Sequence, residues 1–194
     1  TNPALAIIEQ LLKLEQIGAV VAGIPCNTAH APAIFDRIRQ GLADAGSELN
    51  LLHMIAAVAS DLQLVHPQVK KVGVLATTGT ILTRIYPRIL DPLGVETLVV
   101  DQEQQAQLIQ PALYDPHYGI KACGYATARA RDNLVSGARQ LEKMGAQAVI
   151  LGCTEIPLAI PEKQMAGMPI IDPAMILARA LIAAVDPTRL RPVG

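Results

Sequence analysis

Two stretches decide how this chain folds: LEQIGAVVAGIPCNTAH, Leu14 to His30, and LEKMGAQAVILGCTEIP, Leu141 to Pro157. They superpose at one constant offset, Leu14 on Leu141, Glu15 on Glu142, Gly18 on Gly145, Ala19 on Ala146 and Cys26 on Cys153. In each, a short apolar run follows a glycine and stops on a thiol with hydrogen-bonding side chains behind it. Those side chains are Asn27 and Thr28 in the first stretch and Thr154 and Glu155 in the second. A short apolar run between longer helical patterns is the mark of a parallel strand in an α/β unit. The repetition therefore reads as two similar units, each carrying a Cys to the carboxyl end of a strand, where open parallel sheets bind ligands.

The remaining chain fits that frame. Helical spacing is expected over 4–16, 32–45, 55–66, 77–90, 125–144 and 173–185, and strands over 19–24, 49–53, 71–76, 96–100, 148–151 and 170–171. The segment PALYDPHYGIKACGY, with two prolines and two glycines, reads as a loop leading into a helix, and 161–168 as a second loop. The terminal DPTRLRPVG reads as frayed. After each Cys strand comes a smaller one, LNLLHM and MPIIDP, in which His53 and Asp172 align and which leads into a helix. The fold class is thus α/β, two pseudo-symmetric lobes of mostly parallel sheet flanked by helices, with a site in the cleft between them. Residues 1–70 together with the helix at 173–194 form the first lobe, and 71–172 the second.

Bulk properties exclude several classes of function. The 194 residues are 51% hydrophobic, enough for a substantial core, yet no apolar run reaches the roughly 18–20 residues that span a bilayer. No secretion signal is read at the start. A net charge of −1 and 3% aromatic residues leave neither a basic footprint nor stacking platforms for nucleic acid. Three cysteines without Cys-x-x-Cys or His-x-x-x-His spacing argue against a disulfide framework and a metal site, and favour the reducing cytoplasm.

Two thiols across one pocket have a specific use. A thiolate removes a proton from carbon and a thiol delivers one to the opposite face, which inverts a stereocentre; the roles exchange for the mirror-image substrate. A duplicated unit with a duplicated Cys suits such a reaction. Helix N-termini just after Cys26 and Cys153 are expected to lower their pKa. An α-proton is weakly acidic, so donors must hold the substrate carboxylate, and Asn27, Thr28, Thr77, Thr80 and Thr154 are of the right type. No motif supports a pyridoxal lysine, and a cofactor-independent reaction is expected.

The motifs PCNTAH and LGCTEIPL resemble the two catalytic Cys blocks of the aspartate/glutamate racemase family. Glu155, where glutamate racemases usually carry His, tilts the resemblance toward the aspartate racemase and broad-specificity branch. YDPHYGIKACG resembles a family segment that puts Lys121 at a substrate-carboxylate position, and LATTGT resembles the family's Thr turn with Thr77 and Thr80. The resemblance covers nearly the whole chain. It implies PLP-independent racemisation of aspartate, glutamate or both, with Cys26 and Cys153 as the two bases, and a homodimer. Family members carry a further segment before the first Cys block, so the first lobe is expected to lack its initial strand and one wall of the pocket.

Plainer readings stand beside these. A Cys at a strand end is often a small buried hydrophobe, and Cys123 reads as structural. Asn27, Thr28, Thr77 and Thr80 are also ordinary cap and turn residues. Lys121 reads alternatively as a solvated side chain, Glu155 as a capping or ion-pairing group, His30 as a loop or helix-surface residue, and Met165 and Met168 as gap fillers. A cofactor-free decarboxylase with one proton-donating Cys, or an inactive racemase-like binding domain, remains an alternative function.

Overall fold

The computed structural model describes residues 2–165 and 167–191. In chain order it comprises α1 (Ala4–Gln16), β1 (Val21–Gly23), a 3-10 turn (Asn27–His30), α2 (Pro32–Asp44), β2 (Asn50–Leu52), α3 (Met54–Val65) and β3 (Lys71–Ala76). There follow α4 (Thr78–Leu82), α5 (Ile85–Leu90), β4 (Glu96–Leu98), α6 (Gln102–Gln104), a π turn (Gln105–Ile109), α7 (Gln110–Tyr114) and α8 (Ile120–Cys123). The chain continues through α9 (Ala128–Lys143), β5 (Ala148–Gly152), α10 (Ile156–Ala159), β6 (Gln164–Met165), β7 (Met168–Ile171) and α11 (Pro173–Val185).

The repeat is built into the backbone. Helix α1 ends with Gly18 at φ 97° and α9 with Gly145 at φ 94°. The Ala19 amide donates to the Leu14 carbonyl and the Gly18 amide to that of Glu15; Ala146 to Leu141 and Gly145 to Glu142 repeat the pair. This is the Schellman closure, which satisfies the last helical carbonyls and needs a residue without a Cβ at the left-handed position. The same pair of bonds closes the turns at Gly46, before β2, and at Gly94, before β4, so what sets β1 and β5 apart is the Cys that follows each at matched positions of the repeat.

Two parallel-rich sheets result. Strand β1 pairs in parallel with β2, and the second sheet has the order β4-β3-β5-β7-β6, with only β6 antiparallel. Alternation along the strands sorts the core. Val72, Val74, Ala76, Ala148 and Ile150 pack against Met54, Ile55, Val58 and Leu62 of α3 and Leu177 of α11. Leu75, Val149 and Leu151 face the other way, onto Leu134, Ala138 and Leu141 of α9 and Ile109 and Leu113. Helices α1 and α2 cover β1 and β2 through Leu11, Ile38 and Leu42. Each such fully buried aliphatic side chain contributes about 1.5–3 kcal/mol. Helix α11 packs on α3 and on β1. No helix among the described residues is long and apolar enough to cross a membrane.

Four expectations are corrected. The helix expected over 77–90 breaks in two: the Thr83 hydroxyl donates to the Thr80 carbonyl at 2.7 Å and Arg84 takes φ 53°. Pro87 explains the break. Inside a continuous helix its ring would collide with the carbonyl four residues back, whereas in the first turn of α5 its missing N–H is harmless. The expected loop at 111–124 is mostly helical, with Pro111 in the first turn of α7 and Gly119 preceding α8. The loop expected over 161–168 contains β6 and the start of β7 (residue 166 lies outside the described residues). In the terminal segment Pro187–Arg189 forms a 3-10 turn capped by Asp186, while 192–194 lie outside the described residues.

The positive φ at both glycines makes a prediction. Gly18→Ala and Gly145→Ala should each lower stability by about 1–2 kcal/mol in urea unfolding; wild-type midpoints for both variants would contradict the account of the repeated turn.

Candidate active site

Cys26 follows β1 in extended conformation and is exposed. The turn after it is pinned by His30, a buried residue whose Nδ1–H donates to the Cys26 carbonyl (2.9 Å) while Nε2 accepts from the Met54 amide (3.1 Å). Those two partners fix the tautomer, since one nitrogen must donate and the other accept. The Met54 amide is one of the unpaired donors at the start of α3, so His30 joins the Cys26 turn to that helix. Burial pushes the His30 imidazole down to about 4, against the opposing pull of the Cys26 carbonyl. His53 caps α3, accepting from the Ala56 amide, and Asp172 caps α11, accepting from Ala174 and Met175. The alignment of His53 with Asp172 is therefore an equivalence of helix caps.

Asn27 and Thr28 reach across to the second sheet. The Tyr86 hydroxyl donates to Asn27 Oδ1 at 2.5 Å, with both side chains buried. Thr28 Oγ1 meets Thr80 Oγ1 at 2.9 Å, and Thr80 Oγ1 meets Thr77 Oγ1 at 3.0 Å. Thr77 also caps α4, accepting from the Thr80 amide. The Asn27 Nδ2 amide is buried with no hydrogen-bond partner among the described residues. Behind this row, Gln105 donates to the Ala76 carbonyl (3.0 Å) and Gln110 accepts from the Thr78 amide (2.9 Å), holding the turn from β3 into α4.

Cys153 ends β5 and is buried. Its thiol donates to Glu155 Oε2 at 2.9 Å, the Thr154 hydroxyl shares that oxygen, and Lys121 from α8 pairs with Glu155 Oε1. Burial, and then the Glu155 carboxylate, push the Cys153 thiol up to about 12. The Glu155 carboxyl is held low by the Cys153 and Lys121 hydrogen bonds, which overcome the opposing effect of burial. This reverses the expectation that a helix N-terminus lowers the Cys153 pKa: α10 is one turn long, and a carboxylate stands between thiol and cation. Tyr86 is the residue that sequence reasoning missed. Its hydroxyl touches Asn27, and burial first, then the charges of Asp172 and Cys153, raise its pKa well above the ordinary value. The one available signal was a tyrosine in an otherwise apolar helical pattern, because a buried hydroxyl requires a partner.

The structure thus joins Thr28, Thr77 and Thr80 in one hydrogen-bonded row, with Asn27 bonded to Tyr86 beside it, and gathers Lys121, Cys153, Thr154 and Glu155 into a second cluster. Tyr86 hydrogen-bonds Asn27 and is within reach of the charge on Cys153. Among the described residues no side chain hydrogen-bonds the Cys26 sulfur, Cys123 donates only to the His117 carbonyl at 3.6 Å, and no three His, Cys, Asp or Glu side chains are placed to hold a metal.

The sequence profile of the family described as Asp/Glu/Hydantoin racemase matches residues 1–181. The broad specificity amino-acid racemase RacX of Bacillus subtilis (strain 168) is 29% identical over 180 residues, covering 92% of this chain and 70% of RacX. The glutamate racemase of Pseudomonas putida (strain W619) is 30% identical over 169 residues, covering 86% of this chain and 56% of that protein. Aspartate racemase of Picrophilus torridus superposes with a TM-score of 0.72 at 27% identity, over 95% of this chain and 70% of that one. A variant of arylmalonate decarboxylase, 15% identical with a TM-score of 0.63, shares the fold.

Iodoacetamide at neutral pH should label Cys26 readily and Cys153 slowest, by peptide mapping. Glu155→Gln should speed Cys153 about tenfold, the effect of one pKa unit; Cys153 labelling as fast as Cys26 in the wild type would refute the protected thiol. His30 has a depressed pKa, so its contribution, roughly 3 kcal/mol, is intact above about pH 6.5 and is lost as pH falls toward 4. Urea midpoints should fall across that window, and His30→Gln should flatten the slope.

Proposed function

This chain belongs to the Asp/Glu/hydantoin racemase family, and from that premise we propose that it racemises an acidic amino acid, aspartate or glutamate, without a cofactor, using Cys26 and Cys153 as the two proton-transfer groups. The observation that carries the reading is the equivalence of the two cysteines: each stands beyond the carboxyl end of a parallel strand at the matched position of the repeat that begins at Leu14 and Leu141. Two equivalent thiols suit a reaction whose two directions are mirror images.

For one enantiomer the step runs as follows. The Cys26 thiolate takes the α-proton, breaking C–H and forming S–H. Cys153, held protonated beside Glu155, gives its proton to the opposite face, breaking S–H and forming C–H. The resulting Cys153 thiolate is stabilised by Lys121, whose charge already favours that form. For the mirror-image substrate the roles exchange. Negative charge that develops on the substrate carboxylate needs fixed donors, each worth about 3 kcal/mol in a preorganised site. The unpartnered Asn27 Nδ2 amide and the hydroxyls of Thr28, Thr77 and Thr80 are such donors, with Lys121 a further cation. Glu155 and Thr154 hold Cys153 and offer acceptors to the substrate ammonium.

One observation favours a second reading. A single protonated thiol such as Cys153 is what a cofactor-free decarboxylase uses as its proton donor, and the decarboxylase scaffold is similar.

Aspartate and glutamate incubated in deuterated water separate these. Racemisation predicts α-deuterium uptake with loss of optical rotation, reduced about 10²–10⁴-fold in Cys26→Ser and in Cys153→Ser. Uptake undiminished in both variants would sink the two-thiol step. Binding without exchange would leave a non-catalytic domain, and carbon dioxide release from a substituted malonate, lost only in Cys153→Ser, would support the decarboxylase.

A further inference from the structure

The broken helix leaves a space. Because Arg84 adopts φ 53°, α5 departs from α4 at an angle, and a cavity of about 450 Å³ opens between these helices and the strands β3 and β4. Its size lies within the range of small-molecule pockets, about 300–1,000 Å³. Val74, Ile81, Ile85 and Val99 give it apolar walls. Neither cysteine lines it.

Its polar groups are few and of both signs. Arg84, Asp91 and Glu96 stand in the lining. Glu96 is engaged by Lys71 at 2.8 Å, whereas the side chains of Arg84 and Asp91 have no ion-pair or hydrogen-bond partner among the described residues. Thr97 also lines the cavity, and its hydroxyl is buried with no partner among the described residues. A buried unsatisfied hydroxyl is unfavourable, and one rotamer step about χ1 exchanges it with the methyl group. Apolar walls with a free cation, a free carboxylate and an unsatisfied hydroxyl match a small zwitterion with an apolar side chain.

The cavity also has a route to the first thiol. Two of its lining residues are Thr80 and Tyr86. Thr80 meets Thr28, and Tyr86 donates to Asn27, so both contact the turn that begins just after Cys26.

We propose that this cavity is a second small-molecule site, for a free apolar α-amino acid, with the carboxylate toward Arg84, the ammonium toward Asp91 and the side chain against Val74 and Ile85, and that its occupant acts on the Cys26 turn through Tyr86. The proposal does not depend on the racemase reading, because its tests need no turnover.

Calorimetric titration with L-leucine is the first test. One saturable site is expected, weakened at least about tenfold in both Arg84→Ala and Thr97→Val, the loss of roughly one hydrogen bond to a charged group. Lys121→Ala should bind L-leucine as the wild type does. Absence of saturable binding, or loss in Lys121→Ala with wild-type affinity in the two cavity variants, overturns the site. Thr97→Val is nearly isosteric, and an unchanged or raised melting temperature confirms that it folds. The second test is the rate at which iodoacetamide labels Cys26. Saturating L-leucine should change that rate about twofold or more in the wild type and leave it unchanged in Tyr86→Phe, which lacks the hydroxyl that reaches Asn27. Binding with no change in the wild-type rate overturns the coupling.

Discussion

A hydroxyl buried in an apolar core must find an acceptor, and in this protein the Tyr86 hydroxyl finds Asn27. That bond crosses from the helix behind the five-stranded sheet to the turn after β1. It is reinforced by the Thr28–Thr80–Thr77 hydroxyl row and by His30, which fastens the same turn to α3. The Cys26 turn is therefore held on one side by Tyr86 and Thr80, distant in sequence, and on the other by its own His30, which reaches the Met54 amide. An unsatisfied partner in such a buried network is unfavourable by about 1–3 kcal/mol, so its members stand or fall together. Among the described residues the Asn27 Nδ2 amide has no partner, and it belongs to the residue next to the thiol.

The two thiols are equivalent in the chain and unlike in their surroundings. Cys26 is exposed, while Cys153 is buried and donates to a carboxylate that a lysine neutralises on its other side. Burial and the Glu155 carboxylate favour the protonated form of Cys153. Glu155 accepts from the Cys153 thiol on one oxygen and pairs with Lys121 on the other; the carboxylate raises the thiol pKa and the lysine charge opposes it. Removing a charge from this chain changes the thiol through both neighbours at once, so single substitutions there are not additive.

Much of the fold was legible. Residues 4–16, 71–76 and 173–185 fall where their apolar spacing and flanking residues place them, because regular burial leaves a regular pattern. The duplication was visible from five matched residues, and in both copies the Cys follows a parallel strand. The errors concentrate at prolines. Pro87 lies in the first turn of a helix that restarts, where a missing N–H is tolerated, and Pro111 lies within a helical run that continues unbroken from Gln102 through the π turn to Tyr114. Local composition does not distinguish a helix that restarts from one that stops.

What the sequence determined by itself was the α/β class, the repeat and the identity of the groups at each strand end, since these follow from periodicity and from residue type. What only the tertiary structure decided was the state of those groups and their partners. Tyr86 and Asn27 are far apart in the chain, as are Lys121 and Glu155. Hydrogen bonding and burial depend on which side chains approach through space, and a thiol at a strand end becomes a protected acid only when folding surrounds it and brings a carboxylate to its proton.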